Sequence, residues 1–202
     1  MLECLEFMKF FFVRDCREKF RFFSSEPQRD VSIPMSRTKR TWELAQKKLN
    51  VLPPRILRQE QAFIRILKIE DDPVSIHHSG LRPERRIRLR FSLFLHKQRT
   101  KHILALIGET ILLPFSGLAA LLPGPNVAFA VLALIMFTHW RALKGINRLA
   151  AKKHEFPAAP LFAEWEGGCG RSQREELAAV LKKIEEEYHL TGLDKVLWKK
   201  ES

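Results

Sequence analysis

The sequence predicts a mainly α-helical membrane protein, with an apolar helical hairpin flanked by basic, mostly helical soluble segments. Three observations carry this expectation. From Ile103 to Phe137 the chain runs for 35 residues with one charged side chain, Glu109. Pro123-Gly124-Pro125-Asn126 interrupts that run once. Lys and Arg crowd both of its ends.

The apolar run is read first because it sets the class. A helix needs about 20 apolar residues to cross about 30 Å of hydrocarbon, and Ile103 to Leu122 supplies 20. Pro123 and Pro125 lack an amide donor and push their predecessors toward extended geometry, so the helix stops there. A second apolar segment runs from Val127 to Phe137 and closes on Thr138, His139 and Trp140. The expectation is a hairpin over 103–140 with its turn at Pro123, Gly124, Pro125 and Asn126. Before it stand Arg88, Arg90, Lys97, Arg99 and Lys101; after it stand Arg141, Lys144, Arg148, Lys152 and Lys153. Basic residues favour one side of a membrane, so both ends are expected on the same face.

Net charge is +12, from 35 Lys+Arg against 23 Asp+Glu. Residues 1–102 carry +11 of it and residues 138–202 carry +2. Anionic lipid is the natural counter-charge for such a collar. Nucleic acid is not expected as a partner, because the basic residues flank an apolar hairpin and do not interleave with exposed aromatics. Cys4, Cys16 and Cys169 make no zinc knuckle and no even disulfide set, and are expected as free thiols. His77-His78 cannot share a helix face, so no metal site is expected there.

Residues 1–34 are hard to place. Phe10-Phe11-Phe12-Val13 and Phe20, Phe22 and Phe23 form an apolar cluster too short and too broken by charge to span a bilayer. An interfacial segment is one reading. A start at Met35, followed by Ser-Arg-Thr-Lys-Arg-Thr, is another. Residues 35–102 are expected to be a basic helical region, with helices over Trp42–Leu49 and Arg55–Ile69. Asp71-Asp72-Pro73 ends the second, and His77–Pro83 is a loop. Ile87, Phe91 and Leu95 fit a helix entering the first limb, although Leu89 and Leu93 also fit a two-residue period.

Over 141–202 a basic helix continues to Lys153. Pro157 and Pro160 open a loop, and Gly167-Gly168-Cys169-Gly170 reads as a joint. Ser172 and Glu175 form a capping box. The stripe Leu177, Val180, Leu181, Ile184 and Tyr188 marks an amphipathic helix that needs a partner surface, with Gly192 as its C-cap.

Leu121-Leu122-Pro123-Gly124-Pro125-Asn126-Val127, followed by His139-Trp140-Arg141-Ala142-Leu143-Lys144-Gly145, resembles the mitochondrial K+–H+ exchange-related family. There a Pro-Asn turn separates two apolar segments, and a His-Trp-Arg-Ala-x-x-Gly motif follows. His96 stands before the first limb, where the resemblance places a histidine. The likeness covers about residues 88–150; the Phe-rich start departs from it. It implies a membrane protein associated with potassium–proton exchange across a mitochondrial inner membrane, or a plasma membrane in a bacterium. A subunit or regulator is expected, because two limbs cannot enclose a pore. Homo-oligomers or other membrane subunits are the expected partners.

Ion chemistry at membrane depth needs a titratable group. Glu109 is the one acid in the apolar run, about 9 Å of helix inside Ile103. His139 is the second candidate, with an ordinary pKa suited to proton exchange. Trp140, Arg141 and Lys144 are expected as membrane anchors and lipid contacts, together with Arg88, Arg90, Lys97, Arg99 and Lys101. No phosphate loop, nucleophile elbow or metal cluster is visible, so neither an enzyme nor a cofactor is expected. The competing reading is a membrane-anchored scaffold with a basic lipid-binding collar.

Overall fold

The computed structural model describes residues 8–25, 54–70, 73–118, 127–169 and 174–198. Two strands come first, β1 (Phe10–Arg14) and β2 (Phe20–Ser24), followed by helix α1 (Pro54–Ile66) and strand β3 (Val74–His77). Two long helices follow, α2 (Glu84–Leu118) and α3 (Val127–Ala151). The short strand β4 (His154–Glu155) precedes α4 (Pro160–Gly168), α5 (Arg174–Glu187) and α6 (Asp194–Leu197).

The Phe-rich start is the centre of a four-stranded mixed sheet, in the order β2-β1-β3-β4. β1 pairs antiparallel with β2, Phe12 opposite Phe22, and parallel with β3. Successive side chains of a strand point to opposite faces, and both faces of this sheet are covered. Phe10, Phe12 and Phe22 join Phe63, Ile66, Ile87, Phe91, Ala142 and Ile146 beneath α1, α2 and α3. Phe11, Val13 and Phe23 join Phe162, Trp165, Leu181, Ile184 and Leu197 beneath α4, α5 and α6. A strand covered on both faces carries a continuous apolar run. That is why Phe10-Phe11-Phe12-Val13 shows no alternation, and why it is neither a span nor an interfacial segment.

Asp15 closes the β1–β2 turn. Its Oδ1 accepts from the amides of Arg17 and Lys19, both at 2.9 Å. Its Oδ2 takes Arg21 Nε and Nη2 at 2.8 and 2.7 Å. Helices α1 and α3 cross at close range: a Cβ on Gly145 would stand 1.9 Å from the Phe63 carbonyl oxygen. Arg148 donates to the carbonyls of Leu67 and Ile69, and Lys152 to that of Glu70. These two cations, counted in the basic flank after the apolar run, bind the carbonyls just beyond α1.

The expected membrane hairpin is not what forms. The chain is mostly helical with a small mixed sheet, and among the described residues no helix is long and apolar enough to cross a membrane. α2 begins at Glu84 and carries cations through Lys101; its described residues beyond them include 16 from Ile103 to Leu118, with Glu109 among them. It also turns His102 and Glu109 inward. α3 is apolar only over its first 11 residues, Val127 to Phe137. Each described length falls short of the ~20 residues a span requires. The turn residues Pro123, Gly124, Pro125 and Asn126 lie outside the described residues, as do Trp42–Leu49, Met35 and Ser172.

Three smaller expectations also change. Cys16 and Cys169 are joined in a disulfide, with Cα atoms 5.2 Å apart, where free thiols were expected. Gly167 and Gly168 end a helix, α4, and are not a joint. The residue with positive φ just after α5 is His189, at 50°, with Gly192 at 63° in the following loop. The helical readings of 55–69 and 87–95 agree with α1 and α2. The stripe of α5 finds its partner within the chain, in the second core.

Candidate functional site

Three helices bring four titratable side chains together. Glu60 comes from α1, His102 and Glu109 from α2, and His139 from α3. His102 and Glu109 are seven residues apart, two turns of helix, and so share the face that α2 turns toward α3. Ile87, Phe91 and Leu95 continue that face toward the sheet. Glu60 sits one turn before Phe63, whose ring lies edge-on to His102 at 6.4 Å. The Phe63–Gly145 contact therefore sets the separation of the two helices that hold Glu60 and His139.

All four groups are largely withdrawn from water. Exposure is 1% at His102, 3% at Glu60 and 8% at Glu109. His139 Nδ1 stands 2.7 Å from Glu109 Oε1, with an approach off the axis of a ring N–H hydrogen bond. On the other side of the ring, His139 Nε2 stands 3.7 Å from Glu60 Oε1. The rings of His102 and His139 meet edge to face, 5.2 Å between centroids. One ligand atom each from Glu60, His102 and His139 lie within 4.8 Å of one another. Among the described residues, neither nitrogen of His102 has a hydrogen-bond partner, nor does Glu109 Oε2.

Burial governs the charge states. It raises the pKa of Glu60, with Glu109 adding to the rise and His139 and Lys101 opposing it. It lowers the pKa of His102 to about 4, assisted by the positive charges of His139 and Lys101. His102 is therefore a neutral imidazole at physiological pH.

The structure thus joins the two residues that the sequence singled out separately, Glu109 and His139. Glu60 and His102 were missed. A usable signal existed for His102: Gln98, His102 and Glu109 fall on one face of α2 at four- and seven-residue spacings. Glu60 carried none, because it approaches from a different helix.

The expected lipid contacts form a second constellation. Leu89, Leu93, Leu104, Ile107 and Ile111 are each more than half exposed. Their spacing puts them on one stripe of α2, opposite His102 and Glu109, about 33 Å long. Arg90, Lys97 and Lys101 border the stripe on one side, Arg88 and Arg99 on the other. Arg88 is held by Glu84 at 2.7 Å. On α3, Trp140 and Phe137 are exposed. Lys144 Nζ lies 4.7 Å from the Trp140 ring centre, and the Arg141 guanidinium 5.7 Å from that of Phe137. A groove of about 360 Å³ opens beside the stripe, with Arg88, His96, Arg99 and Lys152 over Phe91, Leu95 and Ile146.

A family model described as mitochondrial K+–H+ exchange-related matches residues 28–152. The chain belongs to the mitochondrial K+–H+ exchange-related family. The match contains α1, β3, α2 and α3, and hence the whole cluster and the apolar stripe. It leaves out β1, β2 and α4 to α6. No curated protein and no solved structure gives a significant match. Membership associates the chain with mitochondria and with potassium–proton exchange; it assigns no individual role.

Proposed function

We propose that this family member is a non-enzymatic subunit or regulator of potassium–proton exchange, seated on the surface of the mitochondrial inner membrane by α2. The observation that carries the reading is the exposed apolar stripe from Leu89 to Ile111 with cations along both borders. A helix of this kind lies in a bilayer interface, apolar face down, with its Lys and Arg at the headgroups. Fully burying one Leu or Ile contributes ~1.5–3 kcal/mol. Partial immersion of five such side chains therefore supplies several kcal/mol gross. Each cation near an anionic surface adds about 1 kcal/mol. Exposed Trp140 beside Lys144 suits the same interface. The basic groove beside the stripe fits the phosphate of an anionic headgroup.

The test is flotation of the purified full chain with vesicles of phosphatidylcholine alone or mixed with cardiolipin. The wild type is expected to float with the cardiolipin vesicles and to lose most of that binding in high salt. The triple variant Leu104→Asp, Ile107→Asp, Ile111→Asp is expected to stay in the dense fraction. Wild-type protein that ignores cardiolipin vesicles, or a triple variant that floats equally well, would overturn the proposal. A salt-insensitive dimer that buries the stripe in solution would point to a second copy as its occupant.

A further inference from the structure

We propose that Glu60, His102 and His139 form a binding site for a divalent transition-metal ion of the zinc class, with Glu109 as the carboxylate that orients His139. The site requires no bilayer and stands apart from the surface-seating reading.

The donor set is the first argument. Two imidazoles and a carboxylate suit zinc and its first-row neighbours, and do not suit calcium or magnesium, which take oxygen ligands. Bonds of ~2.0–2.2 Å in a tetrahedral arrangement place ligand atoms about 3.4 Å apart. The three donors already lie within 4.8 Å of one another, and His139 Nε2 is 3.7 Å from Glu60 Oε1.

His102 supplies the second argument, and it is independent of the count of donors. The ring is 1% exposed, yet neither nitrogen has a hydrogen-bond partner among the described residues. A buried polar group left unsatisfied is costly and calls for an explanation. His78 shows how this chain treats a buried histidine with no site to serve. Its Nδ1 accepts the Gly80 amide at 2.9 Å and its Nε2 donates to the Phe156 carbonyl at 3.1 Å. His102 has no such arrangement, and its ring faces His139. A metal ion at the common point gives the ring's one available lone pair a partner.

The third argument is the surroundings of His139. Metal-bound histidines typically present their second nitrogen to a carboxylate, which fixes the ring and strengthens it as a ligand. Glu109 Oε1 stands 2.7 Å from His139 Nδ1, while Nε2 faces Glu60. One nitrogen thus lies beside the Glu109 carboxylate, off the axis of a hydrogen bond that a small turn of the ring would make, and the other faces the proposed ion. Each ligand comes from a different helix, so the ion would clasp α1, α2 and α3 where their packing is most polar.

The test is titration of the intact chain, stripped with chelator, with Zn2+ against a chromophoric competitor, and separately with Co2+. The expected result is saturable binding of one ion per chain, the visible bands of a low-coordinate Co2+ centre, and a higher melting temperature with metal. His102→Ala and Glu60→Gln should each weaken binding ~10- to 100-fold or more, and Glu109→Gln within the range of an orienting partner. His96→Ala, an exposed histidine outside the cluster, should leave it unchanged. Circular dichroism identifies any variant that fails to fold. For such a variant the histidine ring resonances of the wild type decide, since only His102 and His139 should shift with the ion. Binding that survives in folded His102→Ala, ring shifts elsewhere, or no saturable binding by the wild type would overturn the proposal.

Discussion

Gly145→Ala isolates the packing on which the cluster depends. In a helix interior, replacing Gly by Ala ordinarily stabilises by ~0.8–1 kcal/mol. Gly145 lies well inside α3, so helix propensity alone forecasts a gain. The contact with α1 forecasts the opposite. The new Cβ would stand 1.9 Å from the Phe63 carbonyl oxygen and 2.6 Å from its carbonyl carbon. The obstacle is backbone and cannot rotate away. Even a 3.0 Å contact, at the lower edge of what real Cβ atoms show, requires the two helices to part by about 1.1 Å at this point. Phe63, Ala62, Ala142 and Ile146 are all fully buried there. Overpacking of this kind costs ~1–3 kcal/mol and occasionally more, which exceeds the propensity gain. For a chain of this size each kcal/mol moves the melting temperature by roughly 2–4 °C. Gly145→Ala is therefore expected to melt several degrees below wild type. Gly108→Ala is the internal control: nothing lies within 4 Å of its Cβ, so it should melt at or above wild type. Thermal unfolding by circular dichroism reads both. A Gly145→Ala protein as stable as wild type would refute the close crossing of α1 and α3, and with it the geometry that brings Glu60 to His139.

Other perturbations follow from the same structure. Asp15→Ala removes the acceptor of two turn amides and of Arg21, and should cost ~2–4 kcal/mol in denaturant unfolding; an unchanged midpoint would show that these bonds do not stabilise the turn. The Cys16–Cys169 disulfide closes a loop of 153 residues. Loop-closure entropy puts its contribution at up to about 5 kcal/mol, so reductant should lower the melting temperature of the wild type and not of Cys16→Ser. Burial beside Lys9 and His78 holds the His77 pKa below its ordinary value. The unfolded chain then binds the proton more readily, and stability falls as pH drops below about 6.5. His77→Gln should flatten that fall in a pH series of melting curves; an identical slope would show that His77 contributes nothing.

How much of this was legible in the sequence depended on where the partner lay. The helices read over 55–69 and 87–95 were legible because Ile56, Phe63 and Leu67 in the one, and Ile87, Phe91 and Leu95 in the other, fall near one helical face within a single segment. The β1 strand was not. Covered on both faces, Phe10 to Val13 lacks the alternation that marks a half-buried strand. Its pairing with β3 spans some sixty residues, which no local pattern records. The membrane span was misjudged for a related reason. Ile103 to Leu122 was read as one apolar limb of a hairpin, whereas helix α2 divides its side chains between an exposed stripe and an inward polar face holding His102 and Glu109. Glu109 and His139 stood out because each interrupts an apolar stretch. Glu60, on a charged helix, had nothing to distinguish it, and its approach to His139 across 79 residues is a product of the fold.

Swelling in potassium acetate of mitochondria that lack the chain reads whether it serves potassium–proton exchange from the membrane surface, as proposed. Swelling should be impaired without it and restored by wild-type protein. The Leu104→Asp, Ile107→Asp, Ile111→Asp variant should not restore it. Potassium–proton exchange that proceeds unchanged in the absence of the chain would contradict the claim.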